Sequence, residues 1–332
     1  MEKILLGLIS SAGIGLILAP VIIRIIHRFK ASQTILHYVE AHKSKAGTPT
    51  MGGLIFILST ALACACLFSG HYKLALVALG VMCGYGLLGF LDDFIKIKFK
   101  QNLGLRAYQK AIGQLGLGLI VALFVYYNPL IGSEIIIPFT NTTIDLGFWI
   151  IPFTIFVFLA ITNSVNLTDG LDGLASGVSI VYLLIFGIVV WLFSGIMADG
   201  GASILELSEY NNILILIFAS IGGLVAFMAF NSYPAKIFMG DTGSLALGGL
   251  IASVSIFTRH VLLMPILGFV FVWSAVSVII QVLHYKRTKR RVFLMAPYHH
   301  HLEKKGMNET KIVAIYIIIT ALIGCVYLCF IM

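Results

Sequence analysis

The sequence predicts an all-α, polytopic integral membrane protein with about ten transmembrane helices, and three observations carry that expectation. Of its 332 residues, 59% are hydrophobic and only 11% charged, with a mean hydropathy of +1.02. A soluble domain carries about 25% charged residues, so this chain has too few charges to cover a water-facing surface. Its apolar runs are long and continuous, as spanning helices require. A membrane β-barrel would show short alternating segments instead.

The expected spans lie at about 4–26, 50–69, 73–91, 107–127, 149–166, 174–194, 212–230, 242–258, 261–285 and 311–331. The first has a short charged start and no small-residue cleavage site, so it is expected as a retained span rather than a signal peptide. The second is entered through GTPTMGG (Gly47 to Gly53), where Pro and Gly make a turn. The third closes on GFLDDF. Arg106 and Lys110 stand at the weak entrance of the fourth, and the fifth and eighth are short. An even number of spans puts both termini on one side. No repeat or linker divides the chain, so a single domain over 1–332 is expected. The five cysteines all fall in apolar runs and read as small buried residues.

Net charge is +8. In a membrane protein such an excess reports orientation before it reports nucleic acid, and no nucleic-acid partner is expected. Of the 22 Lys and Arg residues, 19 fall in alternate loops and adjoining span ends. The opposite loops hold only Lys3, Lys73 and Arg259. The basic face is therefore expected in the cytoplasm, with both termini outside.

Acidic residues sort differently. Glu2, Glu134, Asp145, Asp199, Glu206 and Glu209 fall on the opposite face and read as solvated loop charges. On the basic face, five aspartates sit at span ends. Asp92 and Asp93 are adjacent, so their side chains point about 100° apart on a helix and need not share one role. Asp169 and Asp172, in NSVNLTDGLDGLASG, would share a face if the segment is helical. Asn163, Asn166 and Thr168 add oxygens there, and Gly170 and Gly173 allow close approach. Asp241, in KIFMGDTGSLALGG, suits either a plain helix cap or a cation bridging to phosphate at a helix N-terminus. Oxygen ligands without paired cysteines fit Mg²⁺, which binds through one or two carboxylates plus substrate phosphates. Such an ion at a membrane face suggests phosphoryl chemistry on a membrane-bound substrate.

His299, His300 and His301 sit in MAPYHHHLEKKG, before the last span. Three consecutive histidines cannot all face one metal from a regular helix, so contact with phosphate or nucleotide is the functional expectation and a solvated loop the plainer one. Lys110 lies inside an apolar run, where an ammonium needs a carboxylate, water or phosphate beside it. Phe238 either stacks on a base or faces the membrane.

In this order, Lys45 with GTPTMGG, Asp92-Asp93, NLTDGLDGL, FMGDTGSL and APYHHHLE resemble the phospho-N-acetylmuramoyl-pentapeptide-transferase family. The wider polyprenyl-phosphate sugar-1-phosphate transferase superfamily shares the aspartates, whereas GTPTMGG and APYHHHLE point to the muramoyl branch. The resemblance implies transfer of phospho-MurNAc-pentapeptide from UDP-MurNAc-pentapeptide to undecaprenyl phosphate, giving lipid I and UMP in peptidoglycan synthesis. It also implies Mg²⁺, a homodimer in the bacterial inner membrane, and a cytoplasmic active site beside a lipid groove. The close rival is transfer from UDP-GlcNAc. A secondary transporter is the distant one, disfavoured because the acids gather at one face rather than at midplane.

Residue by residue, the resemblance makes Asp241 the main metal ligand, with Asp169 beside it. Asp92 is the base or positions the lipid phosphate, Asp93 supports it, and Lys110 and His299 act on phosphates. Substrate contacts are expected from Lys45, Thr50, Asn166, Asp169, Gly170, Leu171, Asp172, Asn231, Phe238, Gln281, His300 and His301.

Overall fold

The computed structural model describes residues 1–28, 47–99, 104–140 and 142–331. Lys45 lies outside the described residues. Twelve helices follow one another: α1 (Glu2–Arg28), α2 (Gly53–Leu67), α3 (Lys73–Lys98), α4 (Ala107–Tyr127), α5 (Ile150–Thr168), α6 (Leu174–Asp199), α7 (Ile204–Asn231), α8 (Gly240–Phe257), α9 (Met264–Leu267), α10 (Phe269–Thr288), α11 (Tyr298–Lys304) and α12 (Glu309–Ile331). Among the described residues nine helices are long and apolar enough to cross a membrane, and α2 is a shorter apolar helix of 15 residues. The fold is all-α and polytopic, with a helix at each of the ten expected places.

Two departures from the sequence reading have local causes. The ninth run, expected as one span from 261, opens instead with a single turn at Val261–Leu263 and the short α9 before α10 begins at Phe269. Pro265 is tolerated only in a helix's first turn, and Gly268 leaves helical geometry at φ −88°, ψ 26°, so the pair splits the run. The second departure is a hairpin between α4 and α5. Strand β1 (Glu134–Ile136) pairs antiparallel with β2 (Thr143–Asp145). At three residues each, these strands are too short to give a readable alternation.

The core is built around α8, which is buried along nearly its whole length and packs against α3, α5 and α2. Its sequence GDTGSLALGGLIASVSIF is rich in Gly, Ala and Ser, the residue types that let membrane helices approach closely. The closest approach sets up the functional end. Gly89 of α3 lies against the main-chain carbonyl of Asp241, where any side chain would collide.

One end of the bundle gathers the C-terminal ends of α3, α5 and α7 and the N-terminal ends of α2, α4, α6, α8 and α12. Contacts among them fix the arrangement. Gly52 and Gly53 donate to the carbonyls of Phe238 (2.8 Å) and Met239 (3.0 Å), so GTPTMGG is stitched to the segment entering α8. Asn231 accepts from Gly173 N at 3.1 Å, joining α7 to the start of α6.

At the opposite end, Glu209 corrects the reading of that face as solvated charge. It is only 3% exposed, and its carboxylate accepts from Lys73 N (3.0 Å) and Leu74 N (2.7 Å). It thereby satisfies free amides of the first turn of α3. Asn212, one helical turn on, donates to Ser69 O (2.9 Å) and His71 O (3.0 Å) in the same connection. Glu209→Ala leaves one buried and one partly buried amide without their acceptor and is expected to cost about 2 kcal/mol, read as a lower unfolding midpoint of the detergent-solubilised chain.

Candidate active site

The site begins where α3 leaves its apolar stretch. Asp92 and Asp93 lie one turn before Lys96, so the helix brings the amine back over both carboxylates. Lys96 Nζ pairs with Asp92, lies 2.9 Å from Asp241 Oδ2 and 3.6 Å from Asp93 Oδ1. Lys110, at the start of α4, reaches the same Asp241 Oδ2 at 3.1 Å. Asn166, near the end of α5, donates to Asp241 Oδ1 (2.6 Å) and to Ser244 Oγ (2.8 Å). Three helices, α3, α4 and α5, thus converge on Asp241 of α8.

The two neighbouring aspartates divide their work, as adjacent helical positions permit. Asp93 is fully buried, and its Oδ2 accepts from both Thr242 N (2.9 Å) and Thr242 Oγ1 (2.7 Å). The cap of α8 is therefore a carboxylate from α3. The plain-cap reading of Asp241 does not hold: Asp241 sits inside the first turn with its carboxylate turned to Lys96, Lys110 and Asn166. Negative charge on Asp93 and Asp241 also complements the positive end of the α8 dipole. Asp92 accepts from Leu105 N at 2.8 Å, which ties the loop before α4 to the cluster.

These residues fit a metal ion. Oxygen atoms of Asp92, Asp93 and Asp241 lie within 4.8 Å of one another. Asp93 Oδ1 is buried without a hydrogen bond, with Lys96 Nζ 3.6 Å away, a costly condition that a directly bound cation would relieve. Three carboxylates against two ammoniums leave one formal negative charge, and the donors are all oxygen, the set that hard divalent ions prefer.

Asp169, expected beside Asp241, is not one of the three clustered carboxylates. Asp169 still feels them: burial first, then the charges of Asp241, Asp93 and Asp172, push its carboxyl up to about 8. The shared helical face expected for Asp169 and Asp172 is absent, because α5 stops at Thr168 and residues 169–173 form a turn. Asp172 instead accepts from Ala235 N at 3.0 Å, while its own N–H donates to Glu309 at 2.6 Å. Leu171 is buried in this turn.

Gly170 backs directly onto the histidine loop, and a Cβ there would strike His299 Nε2. His299 is fully buried with neither ring nitrogen hydrogen-bonded, and burial followed by the charge of His300 pushes it down to about 3. It is neutral at pH 7. His300 pairs with Glu303 at 3.0 Å, and His301 Nδ1 accepts from Leu294 N at 3.1 Å. The three rings take separate positions around the short α11.

Several of the residues expected to contact substrate also make hydrogen bonds within the protein. Asn231 is buried, accepts from Gly173 N and Ser176 Oγ (both 3.1 Å), and donates to Ile237 O at 3.0 Å. Gln281 accepts from Val292 N and Phe293 N (both 3.0 Å) and donates to Phe293 O, fixing the chain before the histidines. Phe238 is half-buried, its N–H donating to Pro49 O at 2.8 Å. Thr50 is buried with its hydroxyl unbonded, next to Gly240.

Lys96 was missed in the sequence, where it reads as one more basic residue of the positive face. Its spacing from Asp92 and Asp93, four and three residues, was the available signal.

Comparison with known proteins agrees with the geometry. The family model described as glycosyl transferase family 4 matches residues 74–259, which include Asp92, Lys96, Lys110, Asp169 and Asp241. A model described as phospho-N-acetylmuramoyl-pentapeptide-transferase signature 1 matches residues 45–57. Over 317 residues the chain is 43% identical to the phospho-N-acetylmuramoyl-pentapeptide-transferase of Clostridioides difficile, covering 94% of this chain and 92% of the relative. That of Clostridium kluyveri is 42% identical over 326 residues, covering 97% and 98%. The chain belongs to the phospho-N-acetylmuramoyl-pentapeptide-transferase family. The like-named protein of Desulfitobacterium hafniense, 40% identical, covers 97% of this chain and 96% of its own, so the relationship extends beyond the motifs to the whole bundle.

For a transferase of this family, the α3–α8 contact should matter because it sets the position of Asp241 against Asp92 and Asp93. Gly89→Ala would push the first turn of α8 away from Asp92 and Asp93. A displacement of about 1 Å can cost about a hundredfold in rate, and that loss is expected in turnover assays of the purified variant.

Proposed function

We propose that this chain transfers phospho-MurNAc-pentapeptide from UDP-MurNAc-pentapeptide to undecaprenyl phosphate, forming lipid I and UMP in peptidoglycan synthesis. The carrying observation is the cluster of Asp92, Asp93 and Asp241 with Lys96 and Lys110 at one end of a membrane bundle. Both reactants are anionic, so their approach is opposed by charge, and stabilisation of the transferring phosphoryl group is the main task.

The resident ion in this reading is Mg²⁺, held by Asp241 with Asp92 or Asp93. When bound, it supplies positive charge that polarises the pyrophosphate and stabilises the departing UMP. The lysines do complementary work. Lys96 and Lys110 bring two ammoniums to one carboxylate oxygen of Asp241 and so offer N–H donors to incoming phosphate. Asp92, which is held by Lys96 and Leu105 N, positions the lipid phosphate or takes its proton. Asp93 keeps α8 in register. Neutral His299, with two unbonded ring nitrogens against Gly170, provides a donor and an acceptor for the nucleotide side.

Direct attack by the lipid phosphate needs no covalent enzyme intermediate, because that phosphate is itself largely ionised at pH 7 and nucleophilic. The excess of Lys and Arg around the cluster supports a cytoplasmic site, with both termini outside and the chain in the bacterial inner membrane. In this reading it works as a homodimer.

Mixing the purified chain with Mg²⁺, undecaprenyl phosphate and either UDP-MurNAc-pentapeptide or UDP-GlcNAc tests the substrate assignment. UMP release and a lipid product of lipid I mass are expected only with the muramoyl donor. Release from UDP-GlcNAc alone would transfer the chain to the rival reaction. Asp241→Asn is expected to lower turnover by at least about 10³-fold while the protein stays folded. Asp92→Asn should lower turnover by about 10²-fold with little change in UDP-substrate binding, measured by equilibrium titration. A loss confined to binding would remove Asp92 from the chemical step.

A further inference from the structure

At the end of the bundle opposite the acid–lysine cluster lies a cavity of 640 Å³ that the transfer reaction does not use. Its walls are apolar: Leu74 of α3, Val189, Leu192 and Phe193 of α6, and Tyr210 of α7. Phe139, Ile196 and Phe330 also line it, yet are 55%, 67% and 72% exposed. The cavity therefore opens sideways, between the hairpin, α6 and α12, onto the apolar surface that faces lipid. Such an entrance admits a hydrocarbon chain.

The other part of the lining is polar and charged. Arg259 follows α8 with φ 62°, a conformation that disfavours non-glycine residues by about 1–2 kcal/mol. The hairpin holds it there. Its carbonyl accepts from Ile136 N at 2.9 Å, and its guanidinium donates to Glu134 Oε2 and Leu130 O, both at 3.2 Å. A guanidinium has five N–H donors, and these two bonds leave others unused on a side chain that lines the cavity. Next to it, His260 Nδ1 donates to Thr258 O at 2.6 Å, which leaves Nε2 as an acceptor. Glu206 lines the same cavity and caps α7 through Ser203.

This charge pattern selects among amphiphiles. One cation, Arg259, lines the cavity with two carboxylates, Glu206 and Glu209, and Glu209 is already engaged by the amides of α3. A phosphate monoester, at about −1.5 to −2 at pH 7, would meet one arginine and two carboxylates. A phosphodiester brings a single negative charge to Arg259, and an ammonium in the same headgroup would satisfy Glu206. We propose that this cavity binds one membrane phospholipid with a zwitterionic head. Its acyl chain enters between α6 and α12, its phosphodiester sits on Arg259 and its ammonium lies near Glu206.

Native mass spectrometry of the full chain tests this, with phosphatidylethanolamine, phosphatidylglycerol, undecaprenyl phosphate or diacylglycerol added to delipidated protein. Leu192→Trp pushes a larger side chain into the cavity wall, at the end of the bundle away from the acid–lysine cluster, and retention is compared between this variant and the unaltered chain. One phosphatidylethanolamine per chain is expected, lost at least tenfold in Leu192→Trp and in Arg259→Gln. Cavity-dependent retention that favours phosphatidylglycerol, undecaprenyl phosphate or diacylglycerol overturns the proposal. So does retention that neither variant changes. Should Leu192→Trp fail to fold, the Arg259→Gln comparison across the four lipids decides.

Discussion

Three carboxylates crowded at the end of a membrane bundle repel one another, and the structure is arranged around that repulsion. Asp92, Asp93 and Asp241 bring oxygens within 4.8 Å in a place where charge is poorly screened. Two lysines offset most of it, and a helix N-terminus offsets more. What remains is one net negative charge and one buried, unbonded oxygen on Asp93. A scaffold selected only for stability would have little use for such an arrangement. A site that must collect a divalent cation and two phosphates needs it, because its donors must stay in place before the ion and the substrates arrive.

Holding like charges together requires a rigid frame, and α8 supplies it. The helix is enclosed by α2, α3 and α5, so its first turn cannot swing away from Asp93. The contact at Gly89 removes the last slack by putting backbone against backbone. Around this frame run side chains that bridge loops: Asp172 to Ala235, Asn231 to Gly173 and Ile237, and Gln281 to Val292 and Phe293. Their amide and carboxylate chemistry resembles that of ligand-binding residues. In this chain it keeps the NLTDGLDGL turn and the histidine loop packed beside the cluster.

Much of this was legible in the sequence, and the misses have physical reasons. Continuous apolar runs placed the ten helices, because a bilayer enforces length and composition. Acids at span ends marked the site, because a carboxylate near lipid is costly without a purpose. Asp169 and Asp172 would share a face only on a helix, and that condition is not met, because α5 stops at Thr168 and residues 169–173 form a turn. Lys96 was hidden by its neighbours: in a loop rich in lysine, one that turns back to its own helix looks like the rest. Glu209 was read as solvated because it is a charge at the end of an apolar run. Its partners are main-chain amides 135 and 136 residues earlier, which no local pattern announces.

The two ends of the bundle solve the same electrostatic problem in opposite ways. At the basic end, amines approach carboxylates while neutralisation stays incomplete, and the deficit is what a metal and phosphates can use. At the other end, Glu209 spends both oxygens on the amides of α3, and Arg259 is divided between Glu134 and a carbonyl. Little charge is left unbalanced there. Strong anions therefore have reason to gather at one end only, and a lipid at the far end would have to match a nearly neutral pattern. The same helices that hold α8 in register connect the two ends, so the polarity of the bundle is a property of its side-chain pairing and not of its backbone.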